Sequence, residues 1–289
     1  MPPILCPAPA RAAFAVCLLS PLVVAAGCAG EAKPAEDGVP AGMVRIELDP
    51  FVMGCSPRAG VCMPDESPAH EVHLTRPLFF DVFEVTVGDF EAALAYRPQA
   101  SQGFAADQPV AGLDWHEAAA YAAARAGDAG LAACYVCEGL REEAVCAAVD
   151  DILDCPGDRL PTEAEWEGAA RCGVDSAWAG GDVLADVAWT ADSPPPDGTP
   201  QPGGALAANA CGLYDMSGNV AEWTHSTYGA YPDGPVLDPV DGDEPALTVV
   251  RGGDHAAPAS AARLAARAPT RAVAATPTVG LRLVRTAAR

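Results

Sequence analysis

Two carboxylates bracket a glycine-containing turn in Asp215-Met216-Ser217-Gly218-Asn219-Val220-Ala221-Glu222. Asp215 and Glu222, with backbone carbonyls near Gly218 and Val220, form an all-oxygen donor set. Such a set suits Ca2+, a hard cation that takes six to eight oxygens. The alternative is a turn aspartate and an exposed glutamate satisfying local amides. A second polar candidate is the pair Asp254-His255, which follows Arg251-Gly252-Gly253. It is the remaining catalytic candidate, although neighbours on a loop serve hydrogen bonding more often than catalysis. The other histidines make poor metal pairs. His70 and His73 stand three apart on an expected strand and so face opposite ways. His116 falls in the first turn of an expected helix, where it should be exposed, and His225 follows the strand-like Glu222-Trp223-Thr224. No G-x-S-x-G elbow, Walker loop or H-E-x-x-H pair is present.

Cysteine usage points to export. Arg11 precedes the apolar run Ala12 to Ala26, which is too short to span a bilayer and ends in small residues, as a signal peptide does. Val24-Ala25-Ala26-Gly27-Cys28 also resembles a bacterial lipobox, with Ala25 where leucine is usual. The expectation is a signal over 1–27, acylation of Cys28 and a lipid anchor in the bacterial outer membrane, with plain secretion as the alternative. Residues 28–42, rich in Pro, Gly and charge, read as a flexible tether. Beyond Cys28 lie Cys55, Cys62, Cys134, Cys137, Cys146, Cys155, Cys172 and Cys211. An even count in an exported chain reads as disulfides. Cys55 and Cys62 are the nearest pair; the remaining connectivity stays open. A zinc site would need reduced thiolates, and the neighbours Tyr135, Val136 and Glu138 do nothing to lower a thiol pKa.

The formal charge of −22 excludes nucleic acid as a partner, because binding a phosphate backbone requires Lys and Arg to displace counterions. The charge is uneven. Residues 251–289 carry seven arginines and one acid, Asp254. A basic tail on an acidic body should fold back onto it, either as structural ion pairs or as the lining of a groove for a small anion.

These residues need elements to position them. With 50% hydrophobic residues the chain can build a real core, while 28 glycines and 28 prolines favour short elements and many loops. Strands are expected over Met43–Cys55, His70–Thr75, Leu78–Val85, Leu247–Arg251 and Gly280–Arg285. Thr86 can cap a helix to about Tyr96. Asp114 with Glu117, and Thr162 with Glu165, have capping-box spacing ahead of helices over Trp115–Ala126 and up to Cys172. Residues 173–208 should be irregular. Trp115, Trp166 and Trp223 are expected in the core. One α+β domain over 43–289 is the economical reading.

Two segments are more specific than any of this: Arg159-Leu160-Pro161-Thr162-Glu163-Ala164-Glu165-Trp166-Glu167, and Asn209-Ala210-Cys211-Gly212-Leu213-Tyr214-Asp215-Met216-Ser217-Gly218-Asn219-Val220-Ala221-Glu222-Trp223. They resemble the signature blocks of the formylglycine-generating enzyme (sulfatase-modifying factor) family. Phe51-Val52-Met53-Gly54, Glu84-Val85-Thr86, Pro109-Val110, Arg251-Gly252-Gly253 and Gly280-Leu281-Arg282 match in order. The resemblance implies a loop-rich, C-type-lectin-like α+β fold with short strands and a few short helices. It also implies a structural calcium on Asp215, Gly218, Val220 and Glu222. A second family calcium would fall near Asp186 and Val187, where the remaining ligands have no match.

The departure from the family decides the functional expectation. Family members that make formylglycine hold copper on two cysteines just after Arg-Gly-Gly, and residues 251–263 contain no cysteine. Cu(I) needs soft thiolates, so no copper is expected. The usual Ser-Trp after the glycines is Asp254-His255, and the usual Trp before Glu222 is Ala221. The expectation is a non-catalytic binding or scaffolding module of the envelope, with a protein or small anion as ligand. The alternative is a metal-dependent oxidoreductase of the same superfamily, centred on Asp254 and His255.

Overall fold

Alternation along Met43-Val44-Arg45-Ile46 buries Met43 and Ile46 and leaves Arg45 exposed, as a half-buried strand requires. The structure, a computed structural model, describes residues 38–288 apart from 241 and 243, and apart from the side chains at 59, 244 and 245. The expected signal over 1–27, Cys28 and most of the 28–42 tether lie outside the described residues. No described helix is long and apolar enough to cross a membrane.

In chain order the strands are β1 (Met43–Ile46), β2 (Phe51–Met53), β3 (His70–His73), β4 (Leu78–Asp81), β5 (Tyr135–Glu138), β6 (Val145–Ala148) and β7 (Asp158–Arg159). Then come β8 (Ala221–Tyr228), β9 (Val236–Leu237), β10 (Glu244–Arg251), β11 (Ala268–Thr270), β12 (Val279–Gly280) and β13 (Val284–Thr286). They form sheets in the orders β1-β4-β13-β7, β11-β10-β8-β12, β2-β3-β9 and β5-β6. The expected strand over 43–55 is two strands, because Leu48-Asp49-Pro50 redirects the chain from β4 to β3. The strand expected over 78–85 ends at Asp81, although Val85 still donates to the Leu281 carbonyl at 3.0 Å.

The helices are α1 (Val87–Leu94), α2 (Trp115–Asp128), α3 (Glu163–Arg171) and the single turn α4 (Leu184–Val187). Thr86 caps α1, and both expected capping boxes form at α2 and α3. The larger core gathers α1 and α2 around Trp115, Tyr121, Leu113 and Trp223. A second cluster centres on Trp166, Phe80, Leu213 and Val284. All three expected core tryptophans are buried.

Four disulfides join Cys55 to Cys62, Cys134 to Cys155, Cys137 to Cys146 and Cys172 to Cys211. The last links the end of α3 to the loop before Leu213. The basic tail does fold back, and as ion pairs. Arg263 reaches Glu66, Arg267 reaches Glu163, Arg282 reaches Glu222 and Arg285 reaches Asp158. Arg251 is wholly buried on Glu167 and the carbonyls of Leu264, Ala265 and Ala266. His116 is half-buried, since its Nδ1 accepts the Cys146 amide at 3.1 Å. The hairpin β5-β6, absent from the sequence reading, covers it.

Candidate functional site

The turn before β8 is wound tightly. Asp215, Gly218 and Asn219 all take positive φ, at 59°, 79° and 60°. Gly218 has no substitute here, because a Cβ would lie 2.1 Å from the Trp189 carbonyl oxygen. Its amide donates to the Gly252 carbonyl at 2.8 Å and the Asn219 amide to Trp189 at 2.9 Å. The turn is thereby tied to the Arg251-Gly252-Gly253 segment.

The expected calcium ligands are buried, and Glu222 is not the exposed residue of the alternative reading. One Glu222 oxygen accepts the Trp166 indole N–H at 2.7 Å, and the other accepts Arg282 Nε at 3.0 Å. Asp215 accepts the Gly204 amide at 3.1 Å. The Gly218 and Val220 carbonyls accept no hydrogen bond from any described residue. Asp186, beside the second family site, is exposed.

A third acid joins this cluster. Glu84 accepts the Val220 amide at 3.0 Å and the Asn219 side-chain amide at 2.6 Å. Burial holds its carboxyl well above the usual range, and repulsion from Asp215 and Glu222 adds to this against the opposing pull of Arg282. Asp215 is likewise raised, by burial, against the Gly204 amide and Arg282, with a smaller push from Glu222. In the sequence Glu84 stands out only within Glu84-Val85-Thr86. The signal for its role is an acid inside the apolar run Leu78-Phe79-Phe80-Asp81-Val82-Phe83-Glu84-Val85, since a buried acid needs hydrogen-bond partners.

Glu84, Asp215 and Glu222 thus crowd around one guanidinium, Arg282, and the upward shifts at Glu84 and Asp215 reflect that crowding and their burial. The three do not converge on one point. Among the described residues only Cys55, Cys62 and Glu66 bring three such ligand atoms within 4.8 Å. There the sulfurs are disulfide-bonded and Glu66 is held by Arg263, so no thiolate is on offer. Asp215, Glu222 and the Gly218 and Val220 carbonyls are the oxygens this turn could offer a cation, and both Glu222 oxygens already accept hydrogen bonds, from Trp166 and Arg282.

Asp254 and His255 adjoin this turn but do not form a dyad. Asp254 accepts the Ala256 amide and the Thr278 hydroxyl, both at 2.8 Å. His255 donates Nδ1–H to the Asn219 carbonyl at 3.0 Å, and its backbone amide donates to the same oxygen at 2.9 Å. Both side chains brace the loop. Between them and Arg263 the chain presents Ala256, Ala257, Pro258, Ala259, Ser260, Ala261 and Ala262. Every cysteine among the described residues is in a disulfide, Cys172 and Cys211 included.

The family model for the sulfatase-modifying factor enzyme 1-like domain matches residues 29–287. The chain belongs to this family. It is 36% identical over 154 residues to the formylglycine-generating enzyme of Mycobacterium tuberculosis, spanning 44% of this chain and 51% of that protein. It is 29% identical over 167 residues to chaperone protein LppX of Paenibacillus barcinonensis, spanning 49% of this chain and 59% of that one. The match thus spans about half the length of these curated relatives. Among solved structures, Treponema denticola variable protein 1 superposes with a TM-score of 0.74 at 23% identity, covering 85% of this chain and 95% of that one. PvdO from Pseudomonas aeruginosa superposes with a TM-score of 0.68 at 22% identity, covering 85% and 94%. These likenesses establish the α+β fold that the signature blocks implied.

Proposed function

We propose that this sulfatase-modifying factor-like protein is a non-catalytic binding or scaffolding module, stabilised by calcium and held at the bacterial envelope by a lipid on Cys28. One observation carries the reading. The loop after Gly252-Gly253 has no cysteine, and every described cysteine elsewhere is consumed in a disulfide, so the described residues offer no thiolate pair for Cu(I). Asp254 and His255, the catalytic candidates on that loop, are spent on bracing it. The name of one relative, a chaperone protein, is in keeping with a role in holding another protein.

The deciding assay incubates purified protein with copper, dioxygen and a Cys-x-Pro-x-Arg peptide. No aldehyde product is expected; an aldehyde above the no-enzyme control refutes the reading, as does stoichiometric copper or iron in the purified protein. Anchoring has its own test. The Cys28→Ser variant should leave the membrane fraction and lose the acyl mass seen in the wild type, whereas an unchanged distribution refutes the anchor.

A further inference from the structure

A cavity of about 450 Å3 opens among β2, β3, β8 and the loop on either side of β9. That volume suits a small organic ligand, for which pockets of roughly 300–1,000 Å3 are usual. It shares no lining residue with the Asp215–Glu222 turn or the Asp254-His255 loop. Met53, Ala164 and Val236 supply apolar wall, and the rings of His70 and Tyr231 lie against each other at 4.8 Å between centroids.

The charged groups at its base are already neutralised. Arg267 gives Nε and Nη2 to the two Glu163 oxygens at 2.6 and 2.7 Å, and Nη1 to the carbonyls of Asp65 and Gly229. Its guanidinium also lies 4.1 Å from the centroid of Tyr231 and 4.6 Å from that of Tyr228. The Tyr231 hydroxyl donates to Glu163 at 3.3 Å. An anionic ligand would have to take Arg267 from Glu163, and a cationic one Glu163 from Arg267. Either exchange breaks a buried bidentate pair, and Arg251, 3.5 Å from Glu163, is already committed to Glu167, so the loss exceeds what a new exposed pair returns. Ser226 is also engaged, accepting the Glu163 amide and donating to the Val240 carbonyl.

His70 is different. Its Nδ1 lies 3.3 Å from the Pro68 carbonyl, which can only accept, so in the neutral ring Nδ1 is the donor and Nε2 the acceptor. We infer that this cavity binds an uncharged, ring-bearing molecule with one hydrogen-bond donor, of the indole or phenol type, whose ring lies against Tyr231 and whose N–H or O–H reaches His70 Nε2. The inference does not depend on the non-catalytic reading or on calcium.

The test is an NMR titration of the labelled, disulfide-intact protein with indole, phenol, toluene, benzoate and benzylamine. Indole and phenol should shift His70, Tyr231 and Val236 in a saturable way. Toluene, lacking the donor, should bind more weakly by about three- to tenfold, the ordinary worth of one hydrogen bond. His70→Phe keeps the ring and removes the acceptor, so indole should fall to the toluene level while toluene is unchanged. Val236→Trp, at the half-buried rim, should fill the cavity and abolish both. Three results overturn the assignment: benzoate or benzylamine binding as tightly as indole, indole affinity unchanged in His70→Phe, or no shift of these three residues at millimolar indole. If Val236→Trp unfolds, the His70→Phe comparison still decides.

Discussion

Glu117 accepts the Asp114 amide at 2.8 Å and the Tyr96 hydroxyl while almost wholly buried. Burial holds its carboxyl above the ordinary 4.5, against the opposing hydrogen bonds from Tyr96 and Asp114. The folded protein therefore keeps a proton on Glu117 that the unfolded chain has released once pH passes 4.5. Its contribution to stability is full below that value and declines as pH rises through the folded value. Glu117→Gln has no such proton to lose. The Tyr96 hydroxyl can turn to accept from the new amide, and Gln also serves in capping boxes. Urea midpoints at pH 4.5, 5.5 and 7 should show a flatter pH dependence in the variant, with a difference of about 1 kcal/mol or less at pH 7. A variant that loses ground to the wild type as pH rises would contradict the sign.

At the scale of elements, the disulfides do unequal work. Cys172, in left-handed conformation at the C-cap of α3, is joined across 39 residues to Cys211, two positions before buried Leu213. Cys55 and Cys62 close a loop of only 7. Chain-entropy arguments assign about 4 kcal/mol to the longer loop and about 2–3 kcal/mol to the shorter. The Cys172→Ser/Cys211→Ser double variant should therefore lower the unfolding free energy more than Cys55→Ser/Cys62→Ser in chemical denaturation. Equal losses would show that closure entropy is not what distinguishes them. The sequence made α2 and α3 legible because Asp114 with Glu117, and Thr162 with Glu165, are local chemistry. It hid the β5-β6 hairpin, because Val136 and Val145 are exposed and Cys137 pairs with Cys146 only across the ladder. The candidate site divided in the same way. The Asp215–Glu222 turn was visible as a contiguous string, whereas Glu84 arrives from more than a hundred residues away through the Val220 amide. No spacing rule links the two.

Across the whole molecule, the arginines of the last segment are set into buried carboxylates, so the −22 formal charge is not spread evenly once folded. Around Glu84, Asp215 and Glu222 this compensation falls short, with Arg282 alone against three acids. Calcium on Asp215, Glu222 and the Gly218 and Val220 carbonyls would bind the native state and not the unfolded chain. At a hundred times its dissociation constant it would add about 2.7 kcal/mol. In a domain of this size each kcal/mol moves the midpoint by about 2–4 °C. Thermal melts in excess calcium should thus run about 5–10 °C above melts in EDTA, with one ion per chain by titration calorimetry. Magnesium should substitute poorly, because it demands a tighter octahedral shell. The Asp215→Ala variant should lose the calcium increment while keeping its EDTA midpoint within a few degrees of the wild type. Coincident melts in calcium and EDTA for the wild type would show that Arg282 and the local amides suffice, and that the turn is retained for packing alone.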